Sequence, residues 1–160
     1  LPVVEGYKLR IPDFTSWEGR ETKAQWRMTM PKKILIVDDD PDVVLFLSTV
    51  LKDRGYDTLE AQNGQEGYEK TASERPDLLL LDLMMPEKSG ISLLHDLKTN
   101  EELAKIPVIM VTGVSGETGI DLEHFFKKPG PGKDNVPKPD GYLEKPVDPK
   151  RLLRLVEELL

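Results

Sequence analysis

A doubly wound parallel α/β sheet is predicted for most of this chain, and two observations predict it. Apolar runs of strand length, Ile34 to Val37, Leu78 to Leu81 and Val108 to Thr112, and a further strand from Tyr56 to Ala61, alternate with stretches of helical period. Such alternation specifies a parallel sheet with helices on its faces. The second observation is where the acids fall. Asp38 and Asp82 close two of the apolar runs, and open α/β sheets collect ligands and chemistry at the carboxyl ends of their strands.

The elements follow in order from Pro31. Ile34 to Val37 is the first strand, and Asp38, Asp39 and Asp40 follow it. Pro41 and the run Asp42 to Arg54 read as a helix, with Val43, Leu47, Val50 and Leu51 on one stripe and Gly55 as its stop. Tyr56 to Ala61 is the second strand, and Asn63-Gly64 a turn. Gln65 to Glu74 is a polar helix ended by Pro76. Four consecutive leucines, Leu78 to Leu81, form a third strand covered on both faces. It ends at Asp82 and opens into a loop punctuated by Pro86 and Gly90. Ile91 to Lys98 is the next helix, with Leu94 and Leu97 near its apolar face, and Val108 to Thr112 the fourth strand. Near the C-terminus, Asp148 caps a helix that has Pro149 at its first position and turns Leu152, Leu155, Val156 and Leu159 inward.

Two stretches break the rhythm. Residues 1–29 carry Pro2, Pro12, Trp17 and Trp26 without a sustained period. They read as an extension ahead of a domain spanning residues 30–160: appended sequence, part of an upstream domain, or an arm docking its aromatics. Between Val114 and Gly141, Gly116 to Lys128 has room for one short helix, and Pro129 to Gly141 is a loop rich in Pro, Gly and Lys.

At 160 residues the chain is long enough for one ordinary domain with a real core. A formal net charge of -7 argues against direct nucleic-acid or membrane-surface binding, which need basic patches. There is no cysteine, so thiol chemistry is excluded. No apolar run approaches the roughly 20 residues of a membrane span, and a cytoplasmic protein is expected.

Four features fall at strand ends: Asp38 to Asp40, Asp82, Thr112 and Lys145. Singly, each has a plain reading. The Asp run could cap a helix, Thr112 could be β-branched packing, and Lys145 a surface lysine. Together they make a phosphoryl-transfer site. Acids from neighbouring strand ends repel one another unless a divalent cation is bound. Hard oxygen ligands suit Mg²⁺. A metal and a lysine beside one carboxylate neutralise an incoming phosphoryl group, a hydroxyl binds its oxygen, and the carboxylate becomes the nucleophile.

The segments ILIVDDDPD, LLLLDLMMPEKSG, VIMVTG and GYLEKPV, in that order, resemble the signature segments of response-regulator receiver domains of two-component signalling. The resemblance covers nearly all of residues 31–160. It implies a flavodoxin-like (βα)5 fold with a five-stranded parallel sheet of order 2-1-3-4-5. It implies phosphorylation of Asp82 by a histidine kinase or histidine phosphotransfer protein. Asp39 would bind Mg²⁺ directly and Asp38 largely through water, with Asp82 and the Met84 carbonyl completing the protein ligands. Thr112 would be the switch hydroxyl, Lys145 the phosphate-pairing lysine and Tyr142 the switch aromatic. Gly113 would leave space beside the phosphoryl group, and a cis Lys145-Pro146 bond would aim the lysine inward. The only chemistry implied is phosphorylation and dephosphorylation of the domain itself.

The chain departs from the family's pattern between Val114 and Gly141, around the fourth helix. That connection is long and locally basic, with Lys127, Lys128, Lys133 and Lys138. It suggests a remodelled face, spanning residues 114–160, for an unidentified downstream partner, and a protein that stays monomeric. Two other readings remain. Asp38-Asp39-Asp40 resembles the nucleophile motif of haloacid-dehalogenase-type phosphatases. Asp42 stands where that motif wants Thr or Val, and no acidic pair follows the lysine. A receiver that is never phosphorylated and acts only as an interaction module is the third.

Overall fold

The computed structural model describes residues 30–85, 89–113 and 137–160. Residues 1–29 and most of the unusual connection, residues 114–136, lie outside the described residues, and so do the readings made of them. Pro31–Leu160 forms one compact unit.

The strands are β1 (Lys33–Val37), β2 (Asp57–Ala61), β3 (Leu78–Asp82), β4 (Val108–Thr112) and β5 (Gly141–Glu144). The helices are α1 (Pro41–Asp53), α2 (Gly64–Glu74), α3 (Gly90–Thr99) and α4 (Pro149–Leu159). All five strands join one sheet in the order β2-β1-β3-β4-β5, and every pairing is parallel. This is the predicted class and the order that the resemblance implied.

Continuous apolar strands are needed because both faces of the sheet are covered. Successive side chains point to opposite faces. Leu35, Val37, Leu79, Leu81 and Met110 thus pack with Leu93, Leu94 and Leu97 of α3 on one side. Ile34, Ile36, Leu78, Leu80, Ile109 and Val111 pack with Leu47 and Leu51 of α1 and Leu152 and Val156 of α4 on the other. In α1 the buried line is Val44, Leu47, Ser48 and Leu51. Val43 and Val50, assigned to it from sequence, only flank it.

Local chemistry sets the helix starts. Asp40 caps α1 by accepting from the Asp42 N–H at 2.9 Å, with Pro41 in the first turn. Asn63, expected in a turn, is the N-cap of α2. Its side chain accepts from Glu66 N–H at 2.8 Å while the Glu66 carboxylate accepts from the N–H of Gln62, one residue before the cap, at 2.9 Å, a variant of the capping box. Ser89 caps α3 and Asp148 caps α4.

Gly90 was expected to punctuate a loop, but it is the first residue of α3. A Cβ there would lie 2.0 Å from the Asp82 carbonyl oxygen, so the close approach of α3 to the end of β3 requires glycine.

Candidate functional site

The ladder register brings the sequence-predicted site residues together. Val37 pairs with Leu81, Asp82 with Val111 and Thr112 with Glu144. Asp38, Asp82, Thr112 and Lys145 therefore emerge side by side along the carboxyl edge of β1, β3, β4 and β5. The backbone holds two of them directly: Asp38 N–H donates to the Ala61 carbonyl at 3.1 Å, and Lys145 N–H to the Thr112 carbonyl at 2.9 Å.

Asp38, Asp82 and Thr112 are buried, at 2%, 5% and 0% exposure, while Asp39 is exposed. One oxygen from each of Asp38, Asp39 and Asp82 lies within 4.8 Å of the others. The lysine bridges the two buried acids. Lys145 Nζ stands 2.7 Å from Asp38 Oδ2 and 3.5 Å from Asp82 Oδ1. The remaining oxygen of Asp38 accepts from Asp40 N–H at 2.9 Å, and Asp82 Oδ1 accepts from Met84 N–H at 3.3 Å. The Lys145-Pro146 peptide is cis, as the resemblance implied.

Asp82 meets opposing electrostatic influences. Burial, and next the charge of Asp38, push its carboxyl up from 3.8 to about 6, while Lys145 and the Met84 N–H pull the other way. Burial depresses the Lys145 ammonium, but the hydrogen bond to Asp38 and the charges of Asp82 and Asp38 outweigh it and leave the pKa raised. A carboxylate poised near neutrality beside a fixed cation is suited to nucleophilic work.

The donor set fits a hard divalent cation. Three carboxylates converge on one small volume, and among the described residues one ammonium balances the two buried ones. Both oxygens of Asp38 already have protein partners, whereas Asp39 is the open one of the pair.

Tyr142 is half-buried, on the sheet face that carries α2 and α3. The next residue, Leu143, is buried on the opposite face. Gly113 leaves room: among the described residues, a Cβ would meet only the Lys145 Cβ, at 3.9 Å. Beside the acids, a cleft of about 490 Å³ runs between α1 and the start of α2, lined in part by Asp38, Asp39, Val44 and Leu45. Leu45 and Met84 are 66% and 67% exposed near the site.

Sequence reasoning missed Gly90 as a structural partner of Asp82. Ser89-Gly90 placed directly before an apolar period signals an N-cap and a first helical residue, which marks the start of α3 and not its contact with Asp82.

A parallel sheet of order 2-1-3-4-5 with an acid pair, a threonine and a lysine at its carboxyl edge defines a class of phosphoryl-accepting signalling domains. Comparison with known proteins identifies the family. The response regulator receiver domain family matches residues 34–127, and this chain belongs to that family. The chain is 34% identical to protein PilH of Pseudomonas aeruginosa, over 80% of this chain and 97% of PilH. It is 30% identical to the polar-differentiation response regulator DivK of Brucella anthropi, over 82% of this chain and 98% of DivK. It spans only about half, 52%, of the phosphate regulon transcriptional regulatory protein PhoB of Pseudomonas aeruginosa, at 35% identity. Among solved structures, the Vibrio cholerae chemotaxis protein CheY4 superposes with a TM-score of 0.66 at 26% identity, over 81% of this chain and 99% of CheY4.

Proposed function

We propose that this receiver domain accepts a phosphoryl group on Asp82. The observation that carries the reading is the convergence of Asp38, Asp39, Asp82, Thr112 and Lys145 at one edge of the sheet. Asp82 attacks the phosphorus of a phosphohistidine. An O–P bond forms, the N–P bond breaks, and the leaving imidazole takes up a proton. With its pKa near 6, the Asp82 carboxyl is largely ionised at pH 7 and ready to attack. Lys145, already 3.5 Å from Asp82, pairs with the new phosphoryl oxygens, and the Thr112 hydroxyl donates to one of them. Mg²⁺, held by Asp39, Asp82 and the Met84 carbonyl with Asp38 acting largely through water, would offset the negative charge gathered there. Thr112 and Tyr142, on paired strands β4 and β5, transmit the change.

The phosphodonor is a histidine kinase or a histidine phosphotransfer protein. The exposed apolar side chains of Leu45 and Met84 beside the acids support docking of a protein donor. The downstream partner would use the region of residues 114–160. Because the sequence of that connection departs from the family pattern, the phosphorylated protein is expected to remain a monomer, which sedimentation with and without a phosphoryl mimic would read.

Incubation with a small-molecule phosphodonor, with and without Mg²⁺, followed by intact mass, tests the proposal. A single Mg²⁺-dependent phosphoryl adduct is expected. Free phosphate released with rapid turnover would favour a phosphatase, and no adduct an interaction module; either contradicts the proposal.

A further inference from the structure

β5 is a strand of four residues at the edge of the sheet, and it delivers Lys145 to the site. The pairing of β5 is short, and its alternation is set by Leu143, buried on one face, and Tyr142, half-buried on the other. Residues 113–140 separate β5 from β4 in sequence. The amino end of β5 is held by other means. Asp140 N–H donates to the Val108 carbonyl at 2.8 Å, and Asp140 Oδ2 accepts from Val108 N–H at 2.8 Å. The same oxygen accepts from Lys98 Nζ at 3.0 Å. Lys98 lies in the last turn of α3, with its side chain 16% exposed. Its ammonium also donates to the carbonyls of Ala104 and Ile106, both at 3.2 Å, so three donors meet three acceptors. From α4, Leu155 closes the opposite side: a Cβ on Gly141 would lie 2.7 Å from Leu155 Cδ2.

We propose that Asp140 and Lys98 are positioning residues for phosphoryl transfer: their clasp on Val108 fixes the register of β5 and so the place of the Lys145 ammonium. The inference rests on the reading of Asp82 as phosphoacceptor. From Asp140 the register runs Ile109 to Gly141, Met110 to Tyr142, Val111 to Leu143 and Thr112 to Glu144. The Lys145 N–H then donates to the Thr112 carbonyl, and Nζ reaches Asp38 and Asp82. A shift at the clasped end is carried along so short a strand to the catalytic lysine. The clasp sits at the opposite end of the strand from the acids, so it acts on Lys145 without touching the residues that would hold Mg²⁺.

The test uses the full chain with acetyl phosphate as donor and three variants: Asp140→Ala, Asp140→Asn and Lys98→Met. Asp140→Asn keeps an acceptor for Val108 N–H and loses the charge opposite Lys98. The expected result for Asp140→Ala is a labelling rate about tenfold or more lower at saturating donor, in line with the sensitivity of transfer to misplacement. Asp140→Asn should rescue part of that rate, and the Mg²⁺ concentration for half-maximal labelling should not change. Lys145 N–H should exchange faster in the variants while Leu79 and Leu80 of β3 keep their protection. If Asp140→Ala does not fold, the other two variants carry the test. Unchanged rates in the folded variants would overturn the clasp, as would a rate loss matched by equal loss of protection in β1 and β3. An unlabelled wild type would instead overturn the phosphoacceptor reading. The clasp would then be judged on exchange alone, and undisturbed Lys145 N–H protection in all three variants would overturn it.

Discussion

At Asp82 two demands conflict. A nucleophile near a dry core should be ionised, yet burial and the facing Asp38 oppose ionisation and lift its pKa from 3.8 to about 6. The folded state therefore binds a proton more readily than the unfolded chain between about pH 4 and pH 6. The resulting cost to stability grows as pH rises through that window and is complete above it. Replacing the charge with a neutral isostere should relieve it. Asp82→Asn is expected to stabilise the cation-free protein at pH 7 by about 1–2 kcal/mol, short of the full shift because Lys145 loses a partner. The gain should vanish below about pH 4, and Mg²⁺ should reduce it by stabilising the wild type. Denaturant unfolding of both proteins across pH, with and without Mg²⁺, reads all three. A variant less stable than wild type at pH 7 without Mg²⁺ would show that Lys145 dominates the balance.

Elements bring these residues together, and glycines determine how closely. Gly90 and Gly113 flank the site and differ in what they permit. A Cβ at Gly90 would stand 2.0 Å from the Asp82 carbonyl, whereas one at Gly113 would make an ordinary 3.9 Å contact with Lys145 Cβ. Gly90→Ala is therefore expected to cost about 1–3 kcal/mol through overpacking, despite the better helix propensity of alanine. Gly113→Ala should stay within about 0.5 kcal/mol of wild type. Thermal unfolding of the two variants without phosphodonor checks the contrast, and equal losses would contradict it. The elements themselves were legible because periodicity is a local signal. Leu78 to Leu81 reads as a strand covered on both faces, and it is one. The partner of Gly90 was not legible, because a contact between a helix start and a strand carbonyl leaves no mark on spacing. The Lys98–Asp140 pair was hidden for the same reason, its members lying 42 positions apart.

On the scale of the molecule, one sheet order explains why four separated segments form a single site. With β1 and β3 adjacent, Asp38 and Asp82 meet; with β4 and β5 beyond them, Thr112 and Lys145 close the other side. Asp38, Asp82 and Thr112 were legible because each follows or closes an apolar run, whereas the fifth strand, which precedes Lys145, came only with the family resemblance. Their order across the sheet came from the family resemblance, because alternation of strands and helices alone does not order a sheet. Geometry added the bridging role of Lys145, which joins both buried acids. The central claim is that Asp82 alone carries the phosphoryl group. Borohydride reduction of the phosphorylated protein converts an aspartyl phosphate to homoserine, and peptide mass spectrometry locates it. The mark is expected at Asp82 and absent from Asp82→Asn. A stoichiometric mark at Asp38 or Asp39, or persistent labelling of Asp82→Asn, would contradict the assignment.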